Sequence, residues 1–149
     1  MQGIDRRRVG EDLYITLGGR LDEHFDPGQV GPGIKRVILH MAEVTSMNSV
    51  GTRALERFLD TMGESEVTLI HVSPAVALQL NLIPALTRHA RVQSVKLPFL
   101  CPKCGAEKQH SVPWRADGHR KYPPKCSCGT VMGLDGIPHH YLPSEEQQL

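Results

Sequence analysis

Leu13, Ile15 and Leu17 alternate with Tyr14 and Thr16, the pattern of a half-buried strand. Gly18-Gly19 then loosens the chain, and Leu21 allows the strand to extend beyond them. Residues 22–33 are rich in turn formers, with Asp26-Pro27-Gly28 and Gly31-Pro32-Gly33, and leave room for a short helix. Arg36-Val37-Ile38-Leu39-His40-Met41 is nearly continuous in apolar character and predicts a central strand covered on both faces. The period then changes. Val50, Ala54, Leu55, Phe58, Leu59 and Met62 share one helical face, and Thr52, Arg53, Glu56, Arg57 and Asp60 the other. Asn48 or Ser49 is placed to cap that helix, and Gly63 to close it. Val67 to Val72 reads as a strand, and Ser73-Pro74 opens a second helix carrying Ala77, Leu78, Leu80, Leu82 and Ile83. Val92, Val95 and Leu97 predict a last strand running directly into Phe99-Leu100-Cys101. Two strands followed by alternating helices and strands call for an α/β sheet, mostly parallel after its first hairpin.

Composition divides the chain. All four cysteines lie between Cys101 and Cys128. We therefore expect a main domain at 5–98, a small module at 99–142 and a polar, frayed tail at 143–149. The 149 residues carry a formal charge of +1, which argues against a dedicated, strongly basic nucleic-acid binder. Aromatic residues are only 5%, so the core must be aliphatic. No apolar stretch approaches the roughly 18 residues of a spanning helix. No apolar segment follows the basic residues Arg6-Arg7-Arg8, so no secretory signal is read and a cytoplasmic protein is expected.

Cys101-Pro102-Lys103-Cys104-Gly105 has the form of a zinc knuckle, in which two thiolates turn toward one ion and a glycine permits the tight turn. Its partner is Cys126-Ser127-Cys128-Gly129, after 21 intervening residues. The spacing C-x2-C-x21-C-x-C-G resembles a zinc ribbon whose second knuckle is one residue short. The expectation is a structural Zn2+ held by Cys101, Cys104, Cys126 and Cys128, with no open position for substrate. Two disulfides are disfavoured in a reducing compartment. Redox use of C-x-x-C lacks a thioredoxin-like setting. His110 and His119 lie between the pairs and leave mixed ligation open, while His139-His140 follow the ribbon. The module has few apolar anchors, Trp114 being the simplest, and should need its metal to fold. Lys108, Arg115, Arg120, Lys121 and Lys125, interleaved with Trp114 and Tyr122, permit nucleic-acid binding as one alternative.

Val37-Ile38-Leu39-His40-Met41 followed by Val44-Thr45-Ser46-Met47-Asn48-Ser49-Val50-Gly51-Thr52 resembles the central signature of the STAS family, the fold of anti-sigma factor antagonists, stressosome subunits and anion-transporter tails. Ile70-His71-Val72-Ser73-Pro74-Ala75-Val76 and Leu17-Gly18-Gly19-Arg20-Leu21-Asp22 resemble two further family segments. The resemblance implies a STAS-like sheet with helices packed against it, ahead of the zinc ribbon. It also implies docking to a kinase-like or regulatory protein, or to another copy, and no enzymatic activity. In that family a hydroxyl residue just before the glycine is phosphorylated, and the added charge breaks the interface. Here that position is Val50, and the preceding Asp of the pattern is Asn48. The usual acceptor is absent. Ser49, or else Thr52, is the candidate substitute for a phospho-regulated antagonist. Asn48, Ser49, Gly51, Thr52, Arg53 and Glu56 form the expected partner surface, with Arg57 beside them. No catalytic constellation is legible: Asp22, Glu23, His24 and Asp26 read as a solvated loop, and His40 and His71 as packed or edge residues.

Overall fold

The computed structural model describes residues 3–28 and 30–144. Of the expected tail, Pro143 is buried and Ser144 exposed, and residues 145–149 lie outside the described part. Strand order in the first sheet is β1 (Gly3–Val9), β2 (Asp12–Leu21), β3 (Arg36–Met47), β4 (Glu66–Ile70) and β5 (Arg91–Val92). β1 pairs antiparallel with β2, and every later pair is parallel. The hairpin is thus β1–β2, not the first two strands that alternation reveals. β1 escapes a reading by pattern because all seven of its residues are exposed at the sheet edge, so nothing selects alternation there. Arg6 and Arg8 reach from it to the carbonyls of Pro27 and Pro32 and hold the crossover loop in place.

Because β2 and β3 are parallel, residues 22–35 must return the length of the sheet. They do so as turns, and no helix occurs among the described residues of this segment. The Gly18-Gly19 pair loosens β2 as its sequence requires: the register with β3 shifts on either side of it, and Gly19 has φ +76°. β3 buries Val37, Leu39, Met41, Val44 and Met47, but Ile38 and His40 stay half-buried. The strand is therefore covered fully on one face, not on both.

α1 (Ser49–Asp60) is capped by Asn48, whose side chain accepts the Gly51 N–H at 2.8 Å. α2 (Pro74–Leu82) is capped by Ser73 with Pro74 in the first turn, and a 3-10 turn, Pro84–Thr87, follows. Both caps supply an acceptor to a helix start that lacks intrahelical partners.

The last strand of the α/β pattern is split. β5 holds only two residues, and β6 (Ser94–Leu100) pairs antiparallel with β7 (Glu107–Pro113) and β8 (Gly133–Leu134) in a second sheet. The boundary expected between residues 98 and 99 falls inside β6. Its first residues are bonded to the first sheet: Val72 donates to the Ser94 carbonyl at 3.1 Å, and Lys96 donates to that of Val72 at 2.7 Å. Two short helices complete the chain, α3 (Gly118–Lys121) and α4 (Pro138–Tyr141). Asn81 of α2 donates to the carbonyls of His139 and Leu142, each at 3.1 Å, which draws the C-terminal segment onto α2. One apolar core consequently runs from Leu13 through Leu97 and Phe99 to Met132 and Leu142.

Candidate functional site

The loop from β3 into α1 brings the expected partner residues to one end of the sheet. Asn48, Ser49 and Val50 are exposed, with Val50 at 44%. Arg53 and Arg57 are exposed along the helix, and Glu56 is half-buried. Gly51 and Thr52 are not on this surface. A Cβ on Gly51 would lie 1.9 Å from the carbonyl oxygen of Leu21, so the helix start abuts the end of β2 and only glycine fits. Thr52 is 3% exposed, and its hydroxyl donates to the Asn48 carbonyl at 2.8 Å. The helical periodicity assigned Val50 to the buried face and Thr52 to the exposed face, and both are reversed. Contact with β2 sets the rotation of the first turn, and a wheel drawn from side chains does not include that backbone contact.

Beside this surface, a cleft of about 540 Å³ opens between α1 and the crossover loop, with Phe25, Val30 and Phe58 in its wall and Arg57 and Asp26 on it. His24 is exposed, its Nε2 3.6 Å from a Glu23 carboxylate oxygen, in keeping with a solvated loop.

The second site is the cysteine quartet. Cys101 directly follows β6 and Cys104 lies in the turn before β7, while Cys126 and Cys128 sit in the turn before β8. The Cys101 and Cys128 sulfurs are 3.6 Å apart, those of Cys104 and Cys126 are 3.5 Å apart, and all four lie within 4.8 Å of one another. A tetrahedral ion with metal–sulfur bonds of about 2.3 Å requires sulfurs about 3.8 Å apart, so the quartet fits one. A disulfide requires about 2.05 Å and is not formed. Among the described residues the group contains cysteines only, and neither His110 nor His119 joins it. His110 instead packs edge-on against Phe99, centroids 6.1 Å apart.

The shortened second knuckle still closes as a tight turn. Gly129, at φ +90°, takes the tight turn, Gly129 N–H bonds the Cys126 carbonyl, and Lys125 and Val131 form a bridge beneath it. Gly105, at φ +77°, does the same for the first knuckle, where the Cys104 N–H also points at the Cys101 sulfur at 3.5 Å. Hydrogen bonding sets the acidity of the thiols. The Thr130 hydroxyl and backbone bring Cys128 down to about 6, and the Cys104 backbone lowers Cys101. Cys104 receives a favourable backbone N–H from Ala106, yet the Cys126 and Cys101 thiols push it up to about 11. Four thiolates this close repel one another, and a bound cation would remove the conflict.

In the same segment, Lys103, Lys108 and Lys125 are exposed, as are Arg120 and Lys121 on α3. Arg115 is engaged by Asp117 at 3.1 Å. Trp114, half-buried against the core, donates its indole N–H to the Tyr141 carbonyl at 3.3 Å.

Sequence reasoning gave His40 and His71 no further role, but the fold brings them together. Their ring centroids are 5.2 Å apart. His71 lies just beyond β4 rather than in it and is the one described residue other than glycine with positive φ, at +49°. No local signal marks this, since the contact joins positions 31 residues apart in sequence.

A five-stranded, mostly parallel sheet with a capped helix start pressed against the end of β2 defines a mixed α/β domain. The chain belongs to the STAS domain family, whose pattern matches residues 7–86, more than half of its length. STAS domains mediate protein–protein interactions and typically act as regulatory modules. No curated protein matches the chain. No helix among the described residues is long and apolar enough to cross a membrane.

Proposed function

We propose that this chain is a non-enzymatic docking module that binds a regulatory or kinase-like protein, or a second copy, through the start of α1, and that it lacks the usual phosphate switch. The observation that carries this reading is the exposed Val50 at the family's acceptor position, on a helix start whose cap and backbone contacts are otherwise intact. The docking residues are Asn48, Ser49, Arg53 and Glu56, with Gly51 and Thr52 supporting them from beneath. Ser49 is exposed and remains the site at which phosphorylation would act. Thr52 is a poor acceptor, because its hydroxyl is buried and committed to Asn48.

The second part of the proposal is a structural Zn2+ on Cys101, Cys104, Cys126 and Cys128, which holds the segment 99–142 as a ribbon welded to the docking part, 5–98, through β6. The near-tetrahedral sulfur spacing supports it.

Val50→Asp tests the docking surface. A carboxylate in the first turn favours the helix dipole and should leave folding unharmed or raise stability by about 0.3–1 kcal/mol. It should nonetheless weaken docking, as should Arg53→Glu. Photo-crosslinking from position 56, with competition by the unlabelled protein, reads both partner and self-association. Equal crosslinking by wild type and both variants would remove α1 as the interface. Native mass spectrometry tests the metal: one zinc per chain is expected, and Cys126→Ser should lose it.

A further inference from the structure

The open face of the molecule carries a polar seam where the two sheets meet. His40 comes from β3, His71 from the bend after β4, Ser94 and Lys96 from β6, and Ser111 from β7. Ser94 accepts the His71 backbone N–H at 2.8 Å, and Ser111 bonds the His71 ring at Nδ1, 2.7 Å away. The Ser94 hydroxyl also lies 3.5 Å from that nitrogen. One residue thus ties the end of the STAS sheet to both strands of the β6–β7 hairpin, which leads to the cysteine quartet. Its left-handed backbone is uncommon outside glycine and costs free energy that the surrounding contacts must offset. The His40 Nδ1 is buried with no hydrogen-bond partner. A buried, unpaired imidazole nitrogen beside a second imidazole is a poor place to add charge.

We propose that the His40–His71 contact is an acid-sensitive seam, which joins the β6–β7 hairpin to the STAS sheet while the His71 ring is neutral and releases the hairpin when His71 is protonated. The Ser111 hydroxyl can reverse its role and bond either form of the ring, so loss of that hydrogen bond is not the trigger. Charge is. The groups acting on His71 are His40 on β3 and Lys96 on β6, and both disfavour its cation. Among the described residues, β7 offers the Ser111 hydroxyl, and no carboxylate is among the groups acting on the ring. Burial is the largest influence and also holds the His71 pKa below its ordinary 6.5. A group whose folded pKa is depressed stabilises the closed seam above the ordinary value and ceases to do so as pH falls through the lowered one. The hairpin would loosen under mild acid, so the tether between the docking domain and the ribbon would depend on pH.

Hydrogen exchange on the full-length, metal-loaded chain tests this at pH 7.5 and 5.5, corrected for intrinsic rates and with metal content measured at both. Opening at the amides of 94–96 and 109–113 should rise, by up to about tenfold per pH unit for a single proton, while β2 and β3 remain protected. His71→Asn suits the left-handed backbone but does not titrate, and should lose most of that rise. Lys96→Gln leaves the bend untouched and should reduce it. The proposal fails if His71→Asn and Lys96→Gln both keep the full response. It fails equally if the response is confined to the knuckles and tracks loss of metal.

Discussion

Gly51 shows how a single residue is fixed by its surroundings. Its missing side chain lets the first turn of α1 touch the Leu21 carbonyl, and Asn48 closes the same turn from the other side. Gly51→Ala places a methyl group inside a backbone carbonyl, which no flexible side chain can relieve. We expect a loss of about 3 kcal/mol or more in urea unfolding, at the upper end of overpacking costs. Asn48→Ala should cost about 1 kcal/mol, the usual value of a cap. If Gly51→Ala proved as mild as the cap deletion, the close approach of α1 to β2 would be wrong. The reversal of Val50 and Thr52 has the same origin: a contact from outside the helix decides which side of its first turn is covered.

β6 matters most among the elements. Its first residues bond to Val72, just past the end of β4, while the strand also pairs with β7 and β8, so it joins the two sheets. Val95, Leu97 and Phe99 alternate with Ser94, Lys96 and Pro98, and all three apolar residues are buried. That alternation was legible in the sequence; the choice of partner strand was not, because a period of two is the same in either sheet. Leu97→Ala should cost about 2–5 kcal/mol, the usual range for emptying a core leucine position. It should lower the stability of β2–β4 along with that of the ribbon, as measured by hydrogen exchange. Protection lost only after residue 99 would mean that β6 does not couple the two sheets. β1 is the opposite case, an element that patterning misses because it buries nothing.

The described residues share one continuous core, so loss of the proposed metal should not be a local event. Trp114, the only tryptophan in the sequence, sits beside Gln93, Tyr141 and the core, and its fluorescence reports the junction. We expect one thermal transition in the metal-loaded protein, seen alike by Trp114 fluorescence and by far-ultraviolet dichroism. A chelator should shift that transition downward as a whole. Two separated transitions would show that the ribbon folds apart from the STAS sheet. Stability should also fall with acid. Burial holds His71, His110 and His119 below their ordinary value of 6.5. The unfolded chain therefore takes up more protons, and stability is lost as pH drops from 6.5 through the lowered values. Urea midpoints at pH 7.5, 6.5 and 5.5 should decline, and a flat profile would contradict the burial of these rings.

The sequence by itself determined what depends on neighbours along the chain. Alternation placed β2, helical period placed α1, Ser73-Pro74 opened α2, and paired cysteines with following glycines marked the two knuckles. Each is a local preference written in adjacent residues. Only the tertiary structure decided what depends on distant partners: that β1 forms the hairpin, that Gly51 and Thr52 turn inward, that β6 crosses from one sheet to the other, and that His40 meets His71. Those outcomes rest on backbone contacts and shared burial between segments far apart in sequence, which local pattern does not encode.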